Sequence, residues 1–216
     1  MAKPSKSKIV SALLDRHGQT YAREAGFTVK DSPSSLYRLL CLSTLLSARI
    51  GANIAVAAAR ALADNGWTTP RKMADATWAE RTKVLNRSGY ARYDERTSRM
   101  LGDSAELLID RWGGDLRKLR DEAGKDPSKE RSLLKQFKGM GDTGVDIFFR
   151  EVQATWSELA PFIDRRALDA ADRLGLGKDS KAIGRLVKKD DLPVFVTALL
   201  RAGREKTHDE ILSAAA

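Results

Sequence analysis

Apolar residues recur every three or four positions along nearly the whole chain, and no stretch alternates apolar with polar residues over a strand's length. The segment "SLYRLLCLSTLLSARI" places Leu36, Leu39, Leu40, Leu42, Leu45 and Leu46 at helical spacing over so wide an arc that the helix is expected to be buried nearly all round. The alanine-rich "IAVAAARALADNG" ends at Gly66, which suits the left-handed position after a helix. Start signals recur down the chain. Thr69 precedes Pro70, Thr77 stands three residues before Glu80 in a capping box, and Asp115 and Asp126 each open a segment, the latter followed by Pro127. The longest of these helices, "RTSRMLGDSAELLIDRWGG", stops at Gly113 and Gly114. Toward the C-terminus "VDIFFREVQ", "DRRALDAADRLG" from Asp164 to Gly175, "SKAIGRLVKK", "LPVFVTALLRAG" and "THDEILSAA" all read as helices. A second capping box is expected at Thr207 and Glu210. Short connections join these segments, so the pattern predicts an all-α protein of roughly ten or more helices without repeats.

One break in this pattern asks for an explanation. In "FKGMGDTGVD" two glycines flank Met140 between a short apolar helix and a second one. A first glycine can take positive φ and reverse the chain tightly, and a second lets the backbone come close to another group. The helix that follows then offers its free amides at the positive end of its dipole, a cradle for phosphate. Leu134 and Phe137 before the turn, with Val145, Ile147 and Phe148 after it, complete a helix-hairpin-helix pattern.

Charge points the same way. Thirty-eight Lys and Arg against 29 Asp and Glu give a formal +9, a balance that suits an anionic partner, nucleic acid or a membrane surface. The single cysteine, Cys41, sits in an apolar run and is expected to be a buried small hydrophobe. One thiol can supply neither an internal disulfide nor a four-cysteine metal centre. The apolar stretches of about ten residues are too short to span a bilayer, which needs ~20, so a soluble protein of the reducing cytoplasm is expected. His17 and His208 are expected at the surface, and the tyrosines and tryptophans in the core or at its rim. No HExxH, P-loop or Gly-x-Ser-x-Gly motif is present.

The stretch "LLKQFKGMGDTGVDIFFREV", with "PFIDRRALDAADRLGL" following, resembles the helix-hairpin-helix family of DNA glycosylases, which includes endonuclease III. Gly139 and Gly141 fall on that family's hairpin glycines, and Asp164 falls on its catalytic aspartate. Arg173, Leu174 and Gly175 match the end of the same motif. "LYRLLCLSTLLSARIGANIAVAAARAL" is similar to the family's paired apolar helices, with Arg49 where glutamine is common, and the likeness covers most of residues 35 to 176.

The resemblance implies a two-lobed all-α fold with DNA in a cleft between the lobes. Residues 30–155 would form a central bundle with the hairpin at about 128–153, and 1–29 with 156–216 the second lobe. It implies a damaged or mismatched base flipped from the duplex and released by hydrolysis. Asp164 would be catalytic, stabilising an oxocarbenium-like sugar and orienting or deprotonating the attacking water, while also suiting the N-cap of its own helix. Lys138, Gly139, Met140, Gly141, Thr143 and Gly144 would bind the DNA backbone, with Lys135 and Arg150 adding affinity. Arg49 would fill the gap left by the flipped base.

Two departures refine this expectation. Thr143 occupies the position of the lysine that forms a Schiff base in strand-cutting members, so a monofunctional enzyme is expected. The cysteines of the family's iron–sulfur cluster are absent, and no cofactor or catalytic metal is expected, apart from a possible structural monovalent cation at the hairpin. Asp142 is expected to cap the helix beginning at Thr143. The partner would be double-stranded DNA carrying a lesion or abasic site, bound by a monomer that is nucleoid-associated if bacterial. Three alternatives stand beside this reading: a glycosylase with lyase activity from a different lysine, a non-catalytic binder of DNA structure, and a helical protein whose charge serves only solubility.

Overall fold

The structure, a computed structural model, describes residues 4–216; the first three, assigned by sequence to the terminal lobe, lie outside the described residues. All regular structure among the described residues is helical, with no strand. The local signals act where the sequence puts them. Thr69 caps Pro70–Asp75 by accepting from the Lys72 amide, and both halves of the Thr77–Glu80 capping box are formed. Asp115 and Asp126 cap Leu116–Glu122 and Pro127–Leu134. Helix Asp94–Trp112 ends on Gly113 at φ 62°, where an L side chain would strain the backbone.

The chain divides into two compact units. One runs from Ala22 to Phe148. Its centre is Pro33–Ser47, which buries residues on every side, Leu36, Leu39, Leu40, Leu42 and Leu45 among them. Helix Ala52–Asp64 packs on it, and Pro70–Asp75 and Trp78–Arg87 pack on Asp94–Trp112. Cys41 is buried here, and burial pushes its thiol up to about 12, so it is an inert part of the core.

The other unit joins the N-terminal segment, up to Tyr21, to Phe149–Ala216. Helix Lys6–His17 packs on Leu192–Glu205 and His208–Ala215, and Arg165–Arg173 packs on Leu192–Glu205. Ile9, Leu13, Ala167, Ala171, Phe195 and Leu199 share its core. The divisions fall after Tyr21 and before Phe149, where the sequence suggested 29 and 155; the hairpin's second helix, Asp142–Val152, runs across the later one.

Several local expectations need correction. His17 is buried, and its Nε2 is 2.9 Å from the Thr207 hydroxyl. Thr207 takes φ −91° and ψ 16°, not the extended backbone of a capping residue, so its hydroxyl makes no capping bond and the box with Glu210 does not form. The segment from Ser180 yields only a five-residue helix, Ser180–Gly184. Trp78 is exposed, with its ring beneath the Arg99 guanidinium and its indole N–H donated to the Glu95 carbonyl.

Candidate nucleic-acid interface and active site

Pro127–Leu134 closes at Lys135, whose amide donates back to Arg131, and a tight turn leads into Asp142–Val152. Gly139 takes φ +88°. A Cβ there would meet Met100 Cε at 2.6 Å and Thr44 Cγ2 at 3.1 Å, so both conformation and space require glycine. The turn is tied down from behind. Ser47 Oγ shares its proton between the Thr44 carbonyl at 2.7 Å and the Gly139 carbonyl at 3.2 Å, and Ser104 Oγ donates to that of Lys138 at 3.4 Å. Met140 is buried, and its amide donates to the Phe137 carbonyl.

Gly141 differs. A Cβ there would have nothing within 4 Å. No intramolecular crowding calls for glycine, which leaves the open side of the turn as its reason. The Gly141 carbonyl accepts from Val145 at 3.0 Å, which makes Gly141 the cap residue and Asp142 the first helical one. The amides of Gly141, Asp142, Thr143 and Gly144 thus have no acceptor within the helix. The first three of these residues are exposed. Gly144 is buried, with Met140 Sδ at 2.9 Å and Ser47 Cβ at 3.6 Å from a Cβ placed on it, so packing explains this glycine.

Asp142 is therefore not the cap the sequence suggested. Its carboxylate accepts from Lys135 Nζ at 2.9 Å, with Arg131 at 3.7 Å. The Lys135 hydrogen bond and charge hold that carboxyl below the usual carboxylate range. Lys138 pairs similarly with Asp103 at 2.7 Å. Both lysines remain exposed, and exposed pairs of this kind are weak and screened by salt. Arg49 lies exposed in the turn between Pro33–Ser47 and Ala52–Asp64, two residues beyond the Ser47 that holds Gly139.

Asp164 belongs to the other unit, as the N-cap of Arg165–Arg173. Its Oδ1 accepts from the amides of Arg166 at 3.0 Å and Ala167 at 3.2 Å. Its Oδ2 accepts from Arg150 Nε at 3.1 Å and Nη2 at 2.6 Å. The Arg150 side chain is 4% exposed and that of Asp164 10%, so Arg150 is not the surface phosphate ligand expected from sequence.

The neighbouring Gln153, fully buried, fixes the approach to Asp164. It accepts from the Phe162 amide at 2.8 Å and donates to the Phe162 carbonyl at 3.2 Å and the Arg150 carbonyl at 3.1 Å. Phe149 meets Phe162 edge-on at 5.4 Å. Glu151, also buried, accepts from the Tyr21 amide at 3.0 Å. Sequence reasoning missed this group. Its signal was three polar residues, Arg150, Glu151 and Gln153, closing a helix whose other late positions are apolar.

No family model matches the sequence, and no curated protein sequence matches it. Solved structures do match. A trapped endonuclease III–DNA covalent intermediate superposes with a TM-score of 0.53 at 14% identity, covering 91% of this chain and 84% of that one. A non-covalent endonuclease III–DNA complex gives 0.52 at 16% identity, with 90% and 82% covered. The H. pylori 3-methyladenine DNA glycosylase MagIII bound to 1,N6-ethenoadenine gives 0.57 at 14% identity, with 93% and 97% covered. The fold is that of the helix-hairpin-helix DNA glycosylases. Within this fold the sequence has Gly139 and Gly141 in the hairpin turn, aspartate at 164 and threonine at 143. No helix among the described residues is long and apolar enough to cross a membrane.

Proposed function

We propose that this chain is a DNA base-excision glycosylase, one that hydrolyses the bond between a damaged or mismatched base and its sugar and does not cut the strand. The observation that carries this reading is the hairpin. Gly139 is needed by the fold, whereas Gly141 opens onto free space beside amides that have no acceptor within the helix. A duplex phosphate fits there, held by the amides of Gly141, Asp142 and Thr143 and by the positive end of the helix dipole. Lys138 and Lys135 exchange their carboxylate partners for phosphate at small cost, since both pairs are exposed. Arg49 enters the stack where the base has left, its flat guanidinium suited to that gap.

Asp164 is the carboxylate assigned to the chemistry. A negative charge near the sugar C1′ stabilises the positive charge that develops as the bond to the base breaks. Thr143 cannot form a Schiff base, so the reaction ends at the abasic site. The proposal needs no metal or cluster, and the chain's single cysteine cannot supply the four thiolates of an iron–sulfur centre.

The test is a panel of duplexes, each with one lesion, scored separately for base release and strand nicking, with borohydride added to trap any covalent adduct. Base release without nicking or adduct is expected. An adduct would show that another lysine performs lyase chemistry. Duplex binding with no release from any lesion would favour a non-catalytic binder.

A further inference from the structure

The Asp164 carboxylate has no acceptor site left. An ionised carboxylate offers about four lone-pair sites. Here two backbone amides occupy Oδ1, and two guanidinium N–H groups occupy Oδ2. The same guanidinium lies almost wholly buried, and its remaining nitrogen, Nη1, is buried without a hydrogen-bond partner. Buried polar nitrogens are nearly always bonded, so this arginine is not placed for its own satisfaction. What it does accomplish is to hold Asp164.

That hold acts against both services asked of the aspartate. A carboxylate with every lone pair engaged cannot take a proton from water. A carboxylate neutralised at contact distance presents a developing sugar cation with a pair of no net charge.

We propose that Arg150 is a positioning residue that restrains Asp164 and thereby sets the rate of base release. The inference rests on the glycosylase reading above. In the step concerned, the bond from C1′ to the base nitrogen breaks and its electron pair leaves with the base; uracil or 1,N6-ethenoadenine then takes a proton from solvent, whereas the cationic 7-methylguanine leaves neutral without one. A water oxygen bonds to C1′, and that water's proton passes to Oδ2. The last transfer requires Arg150 to give up a hydrogen bond to Oδ2. Freeing that oxygen therefore accelerates the reaction.

The test compares wild type, Arg150→Gln, Arg150→Lys and the double variant Arg150→Gln/Asp164→Asn. Single-turnover base release is measured from duplexes carrying one uracil, one 7-methylguanine or one 1,N6-ethenoadenine, and duplex affinity is measured in parallel. Gln removes the opposing charge and frees a lone pair. Lys keeps the charge and gives up the paired N–H groups. Release is expected to rise about tenfold or more in Arg150→Gln and by a smaller factor in Arg150→Lys, and to return to wild-type level or below in the double variant. A purely structural arginine would make both single variants slower.

Where wild type releases base, a rate equal to or below it in a variant that keeps wild-type duplex affinity overturns the proposal; duplex binding with no release by wild type or any variant refutes the glycosylase reading, and the proposal with it. Failure of wild type to bind duplex likewise refutes the glycosylase reading. One reading needs no variant: the Arg150 Nε–H is expected to exchange slowly with solvent in the free protein. Exchange at the rate of a free guanidinium overturns the proposal even if the Gln variant does not fold.

Discussion

The hairpin and the Asp164 site both pair cations with carboxylates, yet they do so under opposite conditions. At the hairpin, Lys135–Asp142 and Lys138–Asp103 are exposed on both sides of each pair. Water already solvates these charges, so little would be lost if, as proposed, a phosphate took the lysine and the carboxylate turned to solvent. At the other site, Arg150 and Asp164 are withdrawn from water, and the two amides that cap a helix complete the carboxylate's shell. Parting that pair leaves a buried carboxylate with only its two amide bonds. The same chemical pairing is thus an exchangeable surface in one unit and a fixed element in the other. Burial, more than residue type, decides which one a ligand can displace.

The largest expected effect breaks the fixed pair outright. Arg150→Ala should lower stability by about 3–5 kcal/mol in urea unfolding, because it removes one partner of a buried ion pair. Lys138→Ala, at the exposed pair, should leave the unfolding midpoint nearly unchanged. Equal losses from the two substitutions would erase the distinction.

Next comes the turn itself. Gly139→Ala forces an L side chain to φ +88° against Met100 and Thr44. A loss of about 1–2 kcal/mol is expected from the left-handed backbone, part of the contact with Met100 being relieved by its flexible methyl. The same unfolding measurement checks it.

A smaller effect sharpens the picture of exchangeable lysines. If Lys138 meets a phosphate, Lys138→Ala should weaken duplex binding similarly on all sequences. It should also reduce the slope of log affinity against log salt by about 1. An unchanged slope would mean that Lys138 stays with Asp103 in the complex.

The smallest effect concerns pH and should be confined to one unit. The chain has two histidines, His17 and His208, both in the unit that holds Asp164. Burial lowers the pKa of each. The folded state therefore resists a proton that the unfolded chain accepts. Stability is fully present above the ordinary value near 6.5 and is lost as pH falls below it toward the lowered folded-state value. Amide exchange followed from pH 7 to 5 should show protection falling first in Lys6–His17 and His208–Ala215. His17→Asn should flatten that dependence.

Much of the secondary structure was legible because its signals are local. Thr77 with Glu80, Asp115, Asp126 and Gly113 act within four residues of where they stand. Thr207 carried an equally good signal and failed. Its backbone is not extended, and its hydroxyl meets His17, 190 positions away in sequence. The hairpin was legible for the same reason as the caps: its glycines answer to a turn and to open space, both visible in a ten-residue window.

The Asp164 site was legible only in part. Position suggested a cap and a carboxylate. The occupation of Oδ2 depends on Arg150 folding back across 14 residues and on Gln153 fixing Phe162 between them. Asp142 shows the same limit, since local sequence allowed a cap while Gly141 took that position and Lys135 took the carboxylate.

Gly141 offers the most direct measurement of the central claim, that the open side of the hairpin receives a duplex phosphate. Wild type and Gly141→Ala are to be titrated with a fluorescent duplex containing an abasic-site analogue, and both are to be unfolded in urea. With no atom within 4 Å of the added methyl, stability should stay within about 0.5 kcal/mol of wild type. Affinity should fall about tenfold or more, because the methyl stands between phosphate and amide. Wild-type affinity in Gly141→Ala, or no salt-dependent duplex binding by wild type, would contradict it.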